Sequence, residues 1–236
     1  SYLKTRKEID PQKIGLVGHS EGGIIAPMVA STSDDIDFIV LLAGTGIRGD
    51  SLLTMQGRLI EKAMGQSKEN LEKSEEIRSE MIDMVMKSGD ISDLRNDLTA
   101  YLKTETVTEK IAALLPPGMG INQFINTQLN FMATPWMAYF LRHDPSKVLE
   151  KVDCAVLAVN GEKDLQVPAK VNLTAIKKAL EKAGNPNVTI KELPGLNHLF
   201  QECETGSPTE YGIIEQTLSP VVLSIITDWI GEIVNR

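Results

Sequence analysis

The chain has 236 residues, with 24 Lys and Arg against 32 Asp and Glu, for a net charge of −8. That length suits one large α/β domain or two small ones, and 42% hydrophobic with 24% charged residues reads as an ordinary soluble globular composition. Collagen, disorder and a disulfide scaffold are excluded. No apolar run reaches the ~18 residues that span a bilayer, residues 1–20 lack the pattern of a secretory signal, and the acidic balance argues against a nucleic-acid partner.

In chain order, Tyr2 to about Glu8 reads as a short helix closed by Asp10-Pro11. Lys13–Gly18 is a short apolar run bounded by turn residues, the pattern of a strand buried on both faces of a parallel sheet. A helix is expected from about Glu21 to Ala30, then a second buried strand at 37–42, stopped by Gly44-Thr45-Gly46. This βαβ alternation implies a parallel sheet. From Asp50 to Lys147 the alternation gives way to helical periodicity alone. Ile77, Met81, Met84 and Val85 share one helical face. Thr106 and Glu109 resemble a capping box, and Pro135 after Thr134 suits a first helical position. Eight of the nine methionines fall between Met55 and Met137, beside Phe124, Phe131, Trp136, Tyr139 and Phe140. Core packing explains any one of them, but the segment as a whole reads as a pliable helical cap. The βα pattern resumes with a strand from Ala155 to Asn160, a helix from Pro168 to about Ala183, and a strand at 188–193. The last helix carries Val221, Val222, Ile225, Ile226, Trp229, Ile230 and Ile233 on one stripe. Three segments result: core at 1–48, cap at 49–150, core again at 151–236. Cys154 and Cys203 cannot make a framework and read as reduced thiols.

The strongest chemical signal is Gly18-His19-Ser20-Glu21-Gly22, between a buried strand and a helix. A serine hydroxyl is a poor nucleophile unless a base takes its proton and its oxygen is held exposed. A sharp strand-to-helix turn does the holding, and Gly18 and Gly22 are expected to supply its clearance. Gly23 would let the helix approach the sheet. The N–H of Glu21, at the helix start, would face a developing oxyanion. An incidental serine in a glycine-rich turn is the bland alternative.

A base and an acid should follow on loops after strand ends. Asn160-Gly161-Glu162-Lys163-Asp164 and Gly195-Leu196-Asn197-His198 occupy such positions. Of the three histidines, His19 lies inside the turn and reads as structural, while His143 precedes Asp144-Pro145 and suits a capping role. His198 is placed for catalysis. Asp164 competes with Glu162, Glu202 and Glu204, and its position late in a loop before Val167-Pro168 fits an inward carboxylate best. No pair of histidines has metal-ligand spacing.

With the order Ser20, Asp164, His198, the sequence resembles the α/β-hydrolase superfamily over nearly its whole length. The stretch from Gly18 to Pro27 resembles bacterial esterases and serine-peptidase-like hydrolases. The resemblance implies a parallel sheet flanked by helices with an all-helical cap inserted, cofactor-free chemistry, and a serine that is acylated and then hydrolysed. Ester, thioester and small-peptide amide substrates all fit it, as does a hydrolase fold that binds without turnover. Met132, Trp136 and Phe140 are the expected acyl pocket, and a small-molecule ester is the expected partner. In that family the serine lies further along the chain and a second oxyanion donor lies on an early loop, so the chain reads as the carboxyl-terminal part of a larger hydrolase. Lys13–Gly18 would then present an unpaired edge open to self-association. A cytoplasmic location is expected, or a periplasmic or secreted one if a leader precedes residue 1.

Overall fold

The computed structural model describes residues 2–235. Two compact units result, one formed by residues 1–47 with 144–236 and the other by 48–143.

The first unit is built on strands β1 (Gly15–His19), β2 (Phe38–Leu42), β3 (Ala155–Gly161) and β4 (Val188–Leu193). They form one sheet in that order, every pair parallel. Two parallel strands cannot be joined by a tight hairpin, so helices supply the crossovers. Helix α1 (Gly22–Ala30) links β1 to β2, and α9 (Ala169–Lys182) links β3 to β4. Alternate strand residues point to opposite faces. Ile39, Leu41, Val156 and Ala158 therefore pack with α1, α9 and the short α8 (Pro145–Leu149). Phe38, Val40, Leu42, Leu157 and Val159 pack on the other face with Val222, Trp229 and Ile233 of α10 (Pro220–Val234). Both faces of β2 and β3 are covered, so these strands are apolar at nearly every position. Each fully buried Leu, Ile or Val is worth about 1.5–3 kcal/mol, which makes the two sandwiched layers the main source of stability in this unit. Helix α1 runs on through Pro27, which is buried and forfeits one bond of the helical ladder.

The second unit is helical: α2 (Gly49–Ala63), α3 (Lys68–Lys87), α4 (Ile91–Leu102), α5 (Glu105–Leu114), α6 (Ile121–Met132) and α7 (Pro135–Arg142). Its core gathers Ile77, Met81 and Val85 of α3 with Leu94, Leu98, Leu102, Ile111, Leu129, Met132 and Leu141. Ser67, Asp90 and Thr134 cap α3, α4 and α7 through their side-chain oxygens. At the other end of α3, Arg142 donates to the carbonyls of Val85 and Ser88, placing a cation where the helix dipole is negative. The parallel sheet flanked by helices, with an all-helical segment inserted between β2 and β3, is the α/β-hydrolase architecture.

Several local expectations are corrected. The amino-terminal helix shrinks to a single 3₁₀ turn at Leu3–Thr5. Helix α5 starts at Glu105 after Thr104, so Thr106 lies inside the helix and caps nothing. Val221 is exposed, because the buried stripe of α10 is narrowed to Val222, Trp229 and Ile233.

Candidate active site

Strand β1 ends at His19, and Ser20 follows with φ 54. That left-handed conformation costs an L-residue of order 1–3 kcal/mol and persists only where its surroundings hold it. Ser20 N–H donates to the Leu42 carbonyl at the end of β2 (2.8 Å), and the Ser20 carbonyl accepts from Gly23 N–H (2.9 Å). The chain is thus pinned to the sheet on one side and turned into α1 on the other. The tight contacts fall at Gly18 and at Gly23, the glycine expected to let the helix approach the sheet, and not at Gly22. A Cβ at Gly18 would lie 2.0 Å from the Gly22 carbonyl oxygen, and one at Gly23 would lie 2.5 Å from Gly44 Cα. A Cβ at Gly22 would meet open space.

Three side chains from three loops converge on this turn. His198 Nε2 lies 3.1 Å from Ser20 Oγ, and its Nδ1 lies 2.8 Å from Asp164 Oδ2. A carboxylate only accepts, so Nδ1 carries the proton and Nε2 presents its lone pair to the serine O–H. His198 and Asp164 are 4% and 2% exposed. The second carboxylate oxygen of Asp164 accepts from Gln166 N–H and Val167 N–H, each at 2.8 Å. With both oxygens occupied, Asp164 is fixed in position and its negative charge is hydrogen-bonded on both sides. Two of the competing acids are engaged elsewhere. Glu162 accepts from Gly195 N–H at 3.0 Å, and the Glu202 carboxylate faces Gln216 and Ser219.

The His198 loop is held by a buried amide network that the sequence reading did not anticipate. Asn197 Oδ1 accepts from Leu199 N–H (2.9 Å) and Gln201 N–H (3.0 Å), while Asn197 Nδ2 donates to Gln201 Oε1 (3.0 Å). Gln201 Nε2 in turn donates to the Gln216 carbonyl (2.8 Å). Phe200, fully buried, sits at φ 58 within this turn. The available signal was Asn197 itself, a polar residue directly before the histidine in a tight loop. His19 donates from Nε2 to the His198 carbonyl (2.9 Å), and its ring lies 4.9 Å from that of His198. Burial lowers the His19 pKa below its ordinary value, outweighing the hydrogen bond to the His198 carbonyl, which pushes it up. A neutral His19 spares His198 a second cation alongside when it accepts a proton.

Glu21, at the N-cap of α1, sets its N–H at the positive end of the helix dipole. A cavity of about 500 Å³ adjoins the loop that carries His198, lined by His19, Leu42, Leu199, Phe200, Ile214 and Leu218. Met132, Trp136 and Phe140 lie in the helical unit. Met132 is buried in its core, and Trp136, about half exposed, stacks on Phe140 at 5.2 Å. Among the described residues no group of three or more His, Cys, Asp or Glu is placed to hold a metal ion, and no helix is long and apolar enough to cross a membrane. Chemically, the constellation can draw a proton from a serine hydroxyl and hold the resulting imidazolium beside a carboxylate.

Sheet, insert and convergent loops together define an α/β-hydrolase-like protein. Residues 1–113 match the family described as BAAT / acyl-CoA thioester hydrolase C terminal. Among solved structures, the chain is similar to an acylaminoacyl peptidase of Pyrococcus horikoshii (14% identity, TM-score 0.39, covering 84% of this chain and 22% of that one). It is also similar to a meta-cleavage product hydrolase from Pseudomonas fluorescens (14% identity, TM-score 0.43, 94% and 66%). A third is an esterase from Rhodococcus sp. (16% identity, TM-score 0.40, 92% and 65%). The chain thus spans about a fifth of the length of the first and just under two thirds of the other two. No curated protein matches it in sequence.

Proposed function

We propose that the chain carries the catalytic centre of a serine hydrolase acting on small acyl esters, with Ser20 as nucleophile, His198 as base and Asp164 as the acid that orients it. The observation that carries this reading is the continuous run from Ser20 Oγ through His198 to Asp164 at 3.1 and 2.8 Å. Ser20 Oγ attacks the acyl carbonyl as its proton passes to His198 Nε2. Asp164 holds the tautomer and offsets the charge of the imidazolium. The Glu21 N–H stabilises the tetrahedral oxyanion, which collapses to an acyl-serine as His198 protonates the leaving group. Water, deprotonated by the same histidine, releases the acid.

A second reading, thioester rather than oxygen-ester cleavage, is favoured by the match of residues 1–113 to a family described by acyl-CoA thioester hydrolysis. The same triad serves both, because a thiolate leaves more readily than an alkoxide. A fluorophosphonate probe tests the shared premise: it should label Ser20 and fail on Ser20→Ala. Absence of labelling on the folded protein would identify a hydrolase fold that binds without turnover. A panel of p-nitrophenyl esters, acyl thioesters and aminoacyl amides then ranks the leaving groups.

A further inference from the structure

The helical unit contains a cavity of about 200 Å³ whose lining comes entirely from residues 53–132. Its body is apolar, with Leu53, Met81, Phe124 and Met132 among the walls. Set into that lining is an ion pair, Arg78 with Glu61. Arg78 Nη2 donates to Glu61 Oε1 and to Ser74 Oγ (2.8 Å), and Ser74 Oγ donates to Glu61 Oε1 (2.6 Å). The other half of the pair is unused. Arg78 Nη1 and Glu61 Oε2 are both buried without a hydrogen-bond partner. Buried polar atoms left this way are rare and costly, and each calls for an explanation.

A glycine elsewhere in the unit sharpens the point. Gly57 lies inside α2, where glycine weakens a helix relative to alanine. A Cβ there would fall 2.2 Å from Arg78 Cζ, 2.4 Å from Nε and 2.6 Å from Nη1. The missing methyl is the space in which the guanidinium lies. The seat for Arg78 is therefore built at the expense of the helix that forms it.

We propose that this cavity is a binding site for a small neutral amphipathic molecule, an aliphatic or aromatic body bearing a carboxamide-type head that meets Arg78 and Glu61. The charges of Arg78 and Glu61 cancel, so a charged head would add an uncompensated charge to a partly buried site. A carboxamide is neutral and carries both a carbonyl acceptor for Arg78 Nη1 and an N–H donor for Glu61 Oε2. Both side chains line the cavity, and binding requires each to turn its unpaired atom towards the ligand. The volume lies below the ~300–1,000 Å³ of drug-sized sites, which limits the occupant to a short chain or a single ring. The site stands independently of the triad chemistry.

Titration calorimetry of the intact protein with octanamide and octanoate tests the proposal, in parallel on the parent and on Ser20→Ala so that turnover plays no part. Octanamide should bind both saturably, and octanoate at least about tenfold more weakly. Gly57→Ala should weaken octanamide at least about tenfold by displacing the guanidinium, as lost hydrogen bonds to charged groups imply, with its melting temperature measured alongside because crowding of Arg78 opposes the helix-favouring effect of alanine. Arg78→Met should weaken it similarly, and this variant decides the matter if Gly57→Ala proves unstable. No saturable octanamide binding would mean a cavity holding only water, and would overturn the proposal. So would unchanged affinity in Arg78→Met, or octanoate binding as tightly as octanamide.

Discussion

At the scale of single residues, His198 depends on its neighbours for more than its two proton partners. Asp164 fixes its tautomer, and the Asn197–Gln201–Gln216 network fixes the loop that carries it. If His198 and Ser20 act as one unit, His198→Ala should cost nearly as much activity as Ser20→Ala, without additivity between them. Asp164→Asn should be severe, by about 10⁴ in kcat, but leave a measurable remnant. Glu162→Gln should be mild by comparison, and the reverse ranking would reassign the acid. Asn197→Ala leaves buried N–H groups of Leu199 and Gln201 without their acceptor, for about 1–3 kcal/mol of stability. It should lower kcat more than it raises KM. His19 gives a pH signature. Its folded pKa lies below the ordinary 6.5 because burial disfavours the cation. The stability this contributes is complete above about 6.5 and is lost as the pH falls from there towards the lowered folded value, since the unfolded chain takes the proton more readily. Melting curves of His19→Phe should therefore lose part of the parent's decline between neutral and mildly acid pH. Burial also pushes the Cys154 thiol up to about 11, so iodoacetamide should modify it slowly at neutral pH in the native state and rapidly in denaturant.

At the scale of elements, the turn around Ser20 separates two glycines that look equivalent in the sequence. Gly22→Ala has room for its methyl and should keep both fold and labelling by a fluorophosphonate. Gly18→Ala drives its methyl into the Gly22 carbonyl and should abolish labelling and lower stability by several kcal/mol, as forced overpacking does. The strands were the most legible elements. β2 and β3 are buried apolar runs with turn residues at both ends, and β4 mixes half-buried apolar residues with exposed Lys191 and Glu192. The proposed Ser20, Asp164 and His198 positions could be singled out for a related reason: each follows the carboxyl end of a strand, β1, β3 and β4 respectively. Helix starts were less so. Thr106 was expected to cap α5, which instead begins after Thr104, and that start goes with the burial of Val107 and Ile111, a tertiary matter. The amide network around His198 spans Asn197 to Gln216 through a segment with little regular structure, so no periodicity announces it. The Arg78–Glu61 pair was equally hidden, because a 17-residue separation across two helices carries no local pattern.

At the scale of the whole molecule, the sheet is asymmetric. β2 and β3 are flanked on both sides, whereas β1 is paired only with β2 and stands at one end of the strand order. Val17 on β1 is 55% exposed, and Ile25 and Val29 of the adjoining α1 are exposed as well. An edge strand with open backbone groups and apolar side chains invites pairing with another chain. We propose that two copies associate through this edge. Sedimentation velocity should show a concentration-dependent dimer for the parent and a monomer for Val17→Lys, since an edge lysine opposes strand addition. A parent that stays monomeric at high concentration would remove the proposal.

The same asymmetry bears on the order in which the protein comes apart. Ser20 hangs from β1 and His198 follows β4, the two end strands of the sheet, while Asp164 follows the central β3. Proteins open locally at a lower free energy than they unfold globally, and lightly covered edges open first. Amide exchange should accordingly run faster in the end strands β1 and β4 than in the fully buried β3. Each transient release of β1 or β4 separates Ser20 from His198 while the rest of the core persists. Warming or mild urea should therefore switch off fluorophosphonate labelling before the far-ultraviolet circular dichroism begins to fall, and dilution should restore it without a refolding lag. If Ser20 is the nucleophile proposed above, it is in this sense on a hinge, and the time it spends docked sets a ceiling on the rate of that chemistry.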